Sequence, residues 1–383
     1  MAIGCFLCCH NDVHRHPTVP TNRLEKTDKV HIRRRAHHIP LVIHILGHRV
    51  FRRMLASARG KKESGVTMTP SLSVIIPCHS NAYFRECLQS LADQTDHDFT
   101  TIVVFDKCED DSPKIAQEFK DRLNLKMYVT SGGKPSVPRN AGMNCCTTDY
   151  FTFLDSDDEY CDKEAVEKLR AAATSGVNAF RHKVTGDNGE SVRAFCFSWT
   201  INTAFANSHN VRFDERLTYM EDLKFEMYIR FVDPEFRHYP FGFQQLDETL
   251  VHHRDNERSI CHDVARRIET EYKDYNSVFT DLAAMNLSEE QKDFLALVYL
   301  QTTFRIFAER SAVKHIPFDS LVKRAMPLIR QYTLGRNQRG RLFDYYGKKI
   351  PLWSLLKLDC DRKIMPSEQQ DKLMAVLIKM ALR

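Results

Sequence analysis

No uninterrupted apolar stretch among the 383 residues approaches the ~20 needed to span a bilayer, so the chain reads as soluble or as touching a membrane only at its surface. A secretory signal core is also missing. The twelve cysteines follow no regular spacing, and several sit inside apolar strand or helix patterns; this argues against a disulfide framework and for a reducing, cytoplasmic setting. Cys5, Cys8, Cys9 and His10 have metal-ligand spacing, but no second pair follows at zinc-finger distance and Pro17 and Pro20 break the chain at once. That segment is expected to be an unstructured tail. A basic core is lacking too. The net charge is +5, yet residues 1–67 carry +9 and leave −4 for the remainder, so the core is not expected to bind nucleic acid.

What the leader does contain is a helical pattern over residues 39–58, where Val42, Ile43, Leu46, Val50, Phe51, Met54 and Leu55 alternate with Arg49, Arg52 and Arg53. A basic amphipathic helix suits the anionic cytoplasmic face of a membrane. A helix docked on the protein's own core is the competing reading, and Met68 as the functional start is a third. The expected organisation is therefore a basic leader over 1–67, disordered or a peripheral helix, a catalytic domain over 68–260 and a helical region over 261–383.

From Ser71 the pattern alternates strand and helix. Strands are expected at 72–77, 101–105, 125–129 and 150–154. Phe84, Cys87, Leu88 and Leu91 mark one helical face, Ser112-Pro113 opens a second helix, and residues 139–146 form a third. Four strands joined by helices imply an α/β fold with a mostly parallel sheet and helices on both faces. Further on, a helix is expected at 162–175, strands at 177–184 and 193–198 about an Asp187-Asn188-Gly189 turn, and a helix opening at Glu221-Asp222 that runs to about residue 232. Ser288 with Gln291 and Ser367 with Gln370 are capping-box patterns in the helical C-terminal region.

Polar signals fall where such a sheet puts its ligands, at the C-terminal ends of strands. Cys78-His79-Ser80 follows the first strand, Asp106 the second, Gly132-Gly133-Lys134 the third and Asp155-Ser156-Asp157, within the acidic run to Asp158, the fourth. If the chain stays extended, Asp155 and Asp157 leave on one face, able to share a hard cation with a diphosphate. A solvated acidic turn is the plain alternative. Arg139 and Asn140 are expected at a helix N-terminus, where an anion is welcome.

Ser73-Val74-Ile75-Ile76-Pro77, Leu88 to Thr95, Asp98-Phe99, Pro138 to Gly142 and Phe153 to Asp158 together resemble the inverting nucleotide-sugar glycosyltransferases of family two, with the GT-A fold. The resemblance covers roughly residues 71–260. It implies that Asp106 bonds the uracil ring of a UDP-sugar donor, with Pro77 and His79 beside the base, and that Arg139, Asn140, Asp155 and Ser156 contact the donor. It further implies that Asp155 and Asp157 are the metal-binding DxD pair for Mg²⁺ or Mn²⁺, with Asp157 the direct ligand. Asp222, next to Glu221, takes the place of the general base, and His253 and Arg254 that of a segment closing over the diphosphate. Two departures touch the base pocket: His79-Ser80 and Phe105-Asp106-Lys107-Cys108 stand where the family has Tyr-Asn and Asp-Asp-Gly-Ser.

The implied reaction is transfer of the sugar to a hydroxyl of a glycan or lipid-linked acceptor. For each residue a plainer role stands beside this one: helix cap for Glu221-Asp222, surface ion pair for Arg139, edge strand for His253-Arg254. A nucleotidyltransferase shares the sheet but opens with a Gly-rich basic loop absent after the first strand here. An inactive nucleotide-sugar-binding protein is the other alternative, opposed by the intact Asp155, Asp157 and Asp222. Residues 261–383, with basic clusters but no motif of their own, are expected either to wall the acceptor site or to form a helical bundle that only stabilises the domain or makes a dimer.

Overall fold

The computed structural model describes residues 69–80, 82–192, 196–233, 244–256 and 263–288, with isolated positions from 291 to 310. The leader over 1–67, with its cysteine cluster and amphipathic helix, lies outside the described residues, as do Ser367, Gln370 and the basic clusters beyond residue 310.

Strand β1 (Leu72–Cys78) is the axis of the sheet. Its near-continuous apolar run is what a strand covered on both faces requires, and Val74, Ile75 and Ile76 are wholly buried. On one side it pairs in parallel with β2 (Phe99–Asp106), which pairs in parallel with the edge strand β3 (Asn124–Thr130). On the other it pairs in parallel with β4 (Tyr150–Phe153). Four parallel strands bring their C-terminal ends, and hence residues 77–79, 106–107, 130–133 and 154–158, to one edge. Helices α1 (Phe84–Ala92), α2 (Ser112–Glu118) and α3 (Ser136–Cys145) connect them. Gly142 of α3 lies so close to β1 that a Cβ there would stand 2.3 Å from Ile75 Cγ2.

Beyond β4 the sheet becomes mixed. After the two-residue β5 (Glu159–Tyr160) and helix α4 (Ala165–Ala173) come β6 (Ala179–Thr185), β7 (Ser191–Val192), β8 (Trp199–Asn202) and β9 (Gln244–His252). The order across the sheet is β3-β2-β1-β4-β8-β6-β9-β5, with β7 on β6. Here the structure departs from the expectation at 196–198. The Asp187-Asn188-Gly189 turn does join a hairpin, with Gly189 at φ +74° and Ser191–Val192 on the returning side; residues 193–195 lie outside the described residues, and Cys196–Ser198 is a 3-10 turn rather than a strand. The strand that matters follows it. Trp199, fully buried, starts β8, which is antiparallel to both β4 and β6.

Helices α5 (Thr203–Ser208), α6 (Glu221–Val232) and α7 (Val264–Ala283) complete the described elements. The Ser288–Gln291 capping box forms, the Gln291 amide donating to Ser288 Oγ at 3.2 Å and the Ser288 amide to Gln291 Oε1 at 2.9 Å. No helix among the described residues is long and apolar enough to cross a membrane.

Candidate active site at the strand ends

Asp155 stands two residues past the end of β4, and the chain does not remain extended. The Asp158 amide donates to the Asp155 carbonyl at 3.0 Å, closing a tight turn over 155–158. The turn is not solvated: Asp155 is 6% exposed and Asp158 fully buried, while Ser156 and Asp157 are half-buried.

The counter-charge for this turn comes from α3. That helix begins at Ser136, three residues before the expected start, so Arg139 sits a turn inside it, and its side chain enters the core rather than pointing off a helix end. Arg139 is 1% exposed. Its Nη2 donates to Asp155 Oδ1 at 3.0 Å and its Nη1 to Glu221 Oε1 at 3.1 Å, so one guanidinium joins the acidic turn to the start of α6. The cation rests on the face of Phe213, which stacks on Phe225 with ring centroids 3.9 Å apart. A buried charge is tolerable only with partners of this quality. Asn140 beside it holds the 213–215 segment, donating to the Phe213 carbonyl at 3.0 Å and accepting from the Phe213 amide at 2.9 Å.

Asp222, the second residue of α6, is 1% exposed and accepts from the Leu223 amide at 2.7 Å. It stands in the first turn of α6, at the positive end of the helix dipole.

The fourth component is 99 residues away in sequence at its far end. Pairing of β5 with β9, Glu159 opposite His252, delivers residues 252–256 onto the acidic turn. His253 Nδ1 bonds Asp158 Oδ1 at 2.9 Å, the Arg254 amide donates to the same oxygen at 3.1 Å, and Asn256 Nδ2 donates to Asp157 Oδ2 at 2.9 Å. The Arg254 side chain pairs with Glu159 and covers the Tyr83 ring at 5.0 Å. Burial alone lowers the pKa of His253, but Asp158, Asp157 and Asp155 outweigh it and raise it to about 9. Burial pushes Asp158 up to about 7 against the pull of His253, and burial with the neighbouring Asp155 raises Asp157.

Asp155 Oδ2 and Asp157 Oδ1 have no side-chain partner among the described residues. Two carboxylates with an oxygen each to spare, in a turn whose burial raises the pKa of Asp157, fit a hard cation. No group of three or more His, Cys, Asp or Glu among the described residues is arranged as a complete metal-ligand set, so any such ion must draw on a bound ligand or water.

Across the strand ends lies the remaining part. Asp106 Oδ1 accepts from the Gly132 amide at 2.8 Å and Thr130 Oγ1 at 2.9 Å, and Oδ2 from the Gly133 amide at 2.7 Å. His79 is exposed, its Nδ1 2.7 Å from the Asp106 carbonyl, and with Lys107, Glu109 and Asp110 it lines an open cleft of about 470 Å³. Pro77, two residues before His79 in β1, is half-buried. The structure brings together Pro77, His79, Asp106, Arg139, Asn140, Asp155, Ser156, Asp157, Glu221, Asp222, His253 and Arg254 at the strand ends, and adds Asp158 and Asn256 as partners. Asp158 was visible within the acidic run, whereas nothing local marked Asn256.

Residues 73–236 match the family model described as glycosyl transferase family 2. Among curated proteins, the poly(ribitol-phosphate) beta-N-acetylglucosaminyltransferase TarS of Staphylococcus aureus (strain Mu50) is 29% identical over 181 residues, which are 40% of this chain and 31% of that protein. The glycosyltransferase GlyA of Streptococcus pneumoniae is 34% identical over 100 residues, 26% of this chain and 14% of GlyA. The chain thus spans less than a third of the length of these relatives. The crystal structure of S. aureus TarS 1-349 in complex with UDP-GlcNAc superposes with a TM-score of 0.54 at 20% identity, covering 77% of this chain and 88% of that one. The fold is GT-A.

Proposed function

With a glycosyl transferase family 2 domain over residues 73–236 as the premise, we propose that this chain transfers a sugar, with inversion, from a UDP-sugar to a hydroxyl of a glycan, lipid-linked or polyol-phosphate acceptor. The observation that carries the reading is the Arg139 bridge. It ties the acidic turn at the end of β4 to Glu221 at the start of α6, so the carboxylates that would face a diphosphate and the one that would face an acceptor belong to a single buried assembly. The acceptor class follows the names of relatives such as the poly(ribitol-phosphate) beta-glucosyltransferase of Bacillus spizizenii, 30% identical over 136 residues, 34% of this chain and 21% of that protein.

In this reading the base enters the cleft beside Pro77, His79 and Asp106, where Asp106 shapes the Gly132-Gly133 backbone. The diphosphate lies over residues 155–157, with the cationic His253 and Arg254 on its other side. Asp155 and Asp157 would hold Mg²⁺ or Mn²⁺, which neutralises charge on the departing diphosphate. Asp222, at the positive end of the α6 dipole, takes the proton from the acceptor hydroxyl as it attacks opposite the leaving group. Arg139, Asn140 and Glu221 act as positioning residues: they fix the turn and the start of α6 relative to each other, the precision that a displacement reaction rewards. The leader remains the candidate for peripheral contact with the cytoplasmic membrane face.

Slow donor hydrolysis needs no acceptor, so a screen of nucleotide sugars with Mn²⁺ tests the reading directly. Release of UDP from at least one UDP-sugar is expected. Absence of hydrolysis together with absence of nucleotide binding by calorimetry would overturn it.

A further inference from the structure

Cys78 closes β1 and Cys108 lies two residues past β2, so adjacent parallel strands carry their thiols to the same edge. The two sulfurs are 4.0 Å apart, and the Cys108 thiol donates to the Cys78 carbonyl at 3.1 Å. Cys78 is 1% exposed, whereas Cys108 is half-buried and reachable. Their chain neighbours, His79 and Lys107, both line the 470 Å³ cleft. We propose that Cys78 and Cys108 are a reversible dithiol–disulfide pair at the floor of the nucleotide cleft, oxidised by small-molecule disulfides.

The thiolate of Cys108 attacks one sulfur of the small disulfide, forming a mixed disulfide and expelling one thiolate. Cys78 then loses its proton to solvent and attacks Cys108 Sγ, expelling the second thiolate. The protein loses two protons and two electrons, and the reagent becomes two thiols. The order of attack follows from the site. Once ionised, Cys108 accepts from the Cys78 thiol, which holds Cys108 below the ordinary thiol range, while that bond and burial push Cys78 above it. Closing the sulfurs from 4.0 Å to the ~2.05 Å of a disulfide draws Cys108 toward the strand-bound Cys78, and the 107–111 segment that would move precedes α2 and has no regular structure. That shift moves Lys107, at φ +54° over Gly133, and so reshapes the wall of the cleft. Nucleotide and disulfide should therefore oppose each other, a coupling that rests on the function proposed above.

The experiment exposes the full chain to oxidised glutathione and maps its peptides without reduction. Trypsin separates Cys78, in 63–85, and Cys108, in 108–114, from Cys87. The expected product is the 63–85 peptide linked to 108–114, and Cys78→Ser should stop at glutathione on Cys108. A wild-type protein that ends as the Cys108 mixed disulfide with Cys78 free, or that does not react, overturns the pair. The oxidised protein should bind UDP about tenfold more weakly or worse, with recovery in dithiothreitol. Equal affinity overturns the coupling. A reduced protein that binds no nucleotide counts against the function, while the peptide map still decides the disulfide.

Discussion

His253 Nδ1 lies 2.9 Å from Asp158 Oδ1, a contact between residues 95 positions apart that fastens the end of β9 to the acidic turn after β4. Asp158 is fully buried and the His253 side chain only 18% exposed, its ring stacked on Phe197 at 5.3 Å, so the pair titrates as a unit.

The sign of the resulting pH dependence is fixed by the direction of the shift. His253 moves from 6.5 to about 9 on folding, so its contribution is complete below pH 6.5 and is lost as pH rises through about 9. Asp158, raised from 3.8 to about 7, contributes with the same sign at lower pH. Thermal melting between pH 6.5 and about 9 should lower the Tm of the parent by about 3 °C or more beyond that of His253→Gln, the response to ~1 kcal/mol in a domain of this size. Parallel melting curves would remove the ion pair from the account.

Removing a carboxylate from the turn separates donor binding from folding. UDP binding measured by calorimetry should strengthen when Mn²⁺ or Mg²⁺ is added. Asp157→Ala should abolish that enhancement while leaving the Tm near the parent value, because Asp157 is half-buried and bonds only Asn256 among the described side chains. Metal-independent binding in both proteins would reassign the turn to a structural role.

Asp222 and the Arg139 that anchors the start of α6 should respond differently to substitution. Asp222→Asn is nearly isosteric and should leave UDP binding intact while transfer falls by about 10²-fold or more, as for a positioned general base. Arg139→Met, by contrast, strands Asp155 and Glu221 in the core without a cation, and a broken buried pair costs about 3–5 kcal/mol. Urea titration should register the second change and barely notice the first; the reverse pattern would exchange the two roles.

The half of the fold readable from sequence is the half built from continuous runs. β1, β2 and β4 are apolar for most of their length, and α1 repeats its buried face at i, i+3, i+4 and i+7, so local patterning identifies them. Much of the second half resists the same reading: β5 and β8, with two and four residues, are too short to show a period, and the nine-residue β9 is interrupted by Asp247 and Glu248, whereas the seven-residue β6 alternates buried and half-buried positions and is legible. The pairing of β5 with β9 joins segments far apart in the chain and leaves no local trace. Within the site, the acidic run and Glu221-Asp222 stood out as charges at element ends. The burial of Arg139 did not, because it depends on where α3 starts: with a start at Ser136 instead of Arg139, the same side chain turns from a helix end into the core.

Asp106 offers a last discriminating measurement, because its carboxylate is already engaged by its own chain. At 3% exposed it accepts from the amides of Gly132 and Gly133 through different oxygens, and Gly133 stands at φ +68°, a conformation that a glycine adopts freely. An asparagine keeps the shape but turns one acceptor into a donor, so one of these two amides faces an N–H₂ group without a partner. Leaving a buried donor unsatisfied costs about 1–3 kcal/mol. Asp106→Asn should therefore lower stability in urea by that amount and weaken UDP binding together, since the loop it holds borders the base cleft. If UDP binding is lost while stability is unchanged, Asp106 meets the base directly and the Gly132-Gly133 backbone is held by other means.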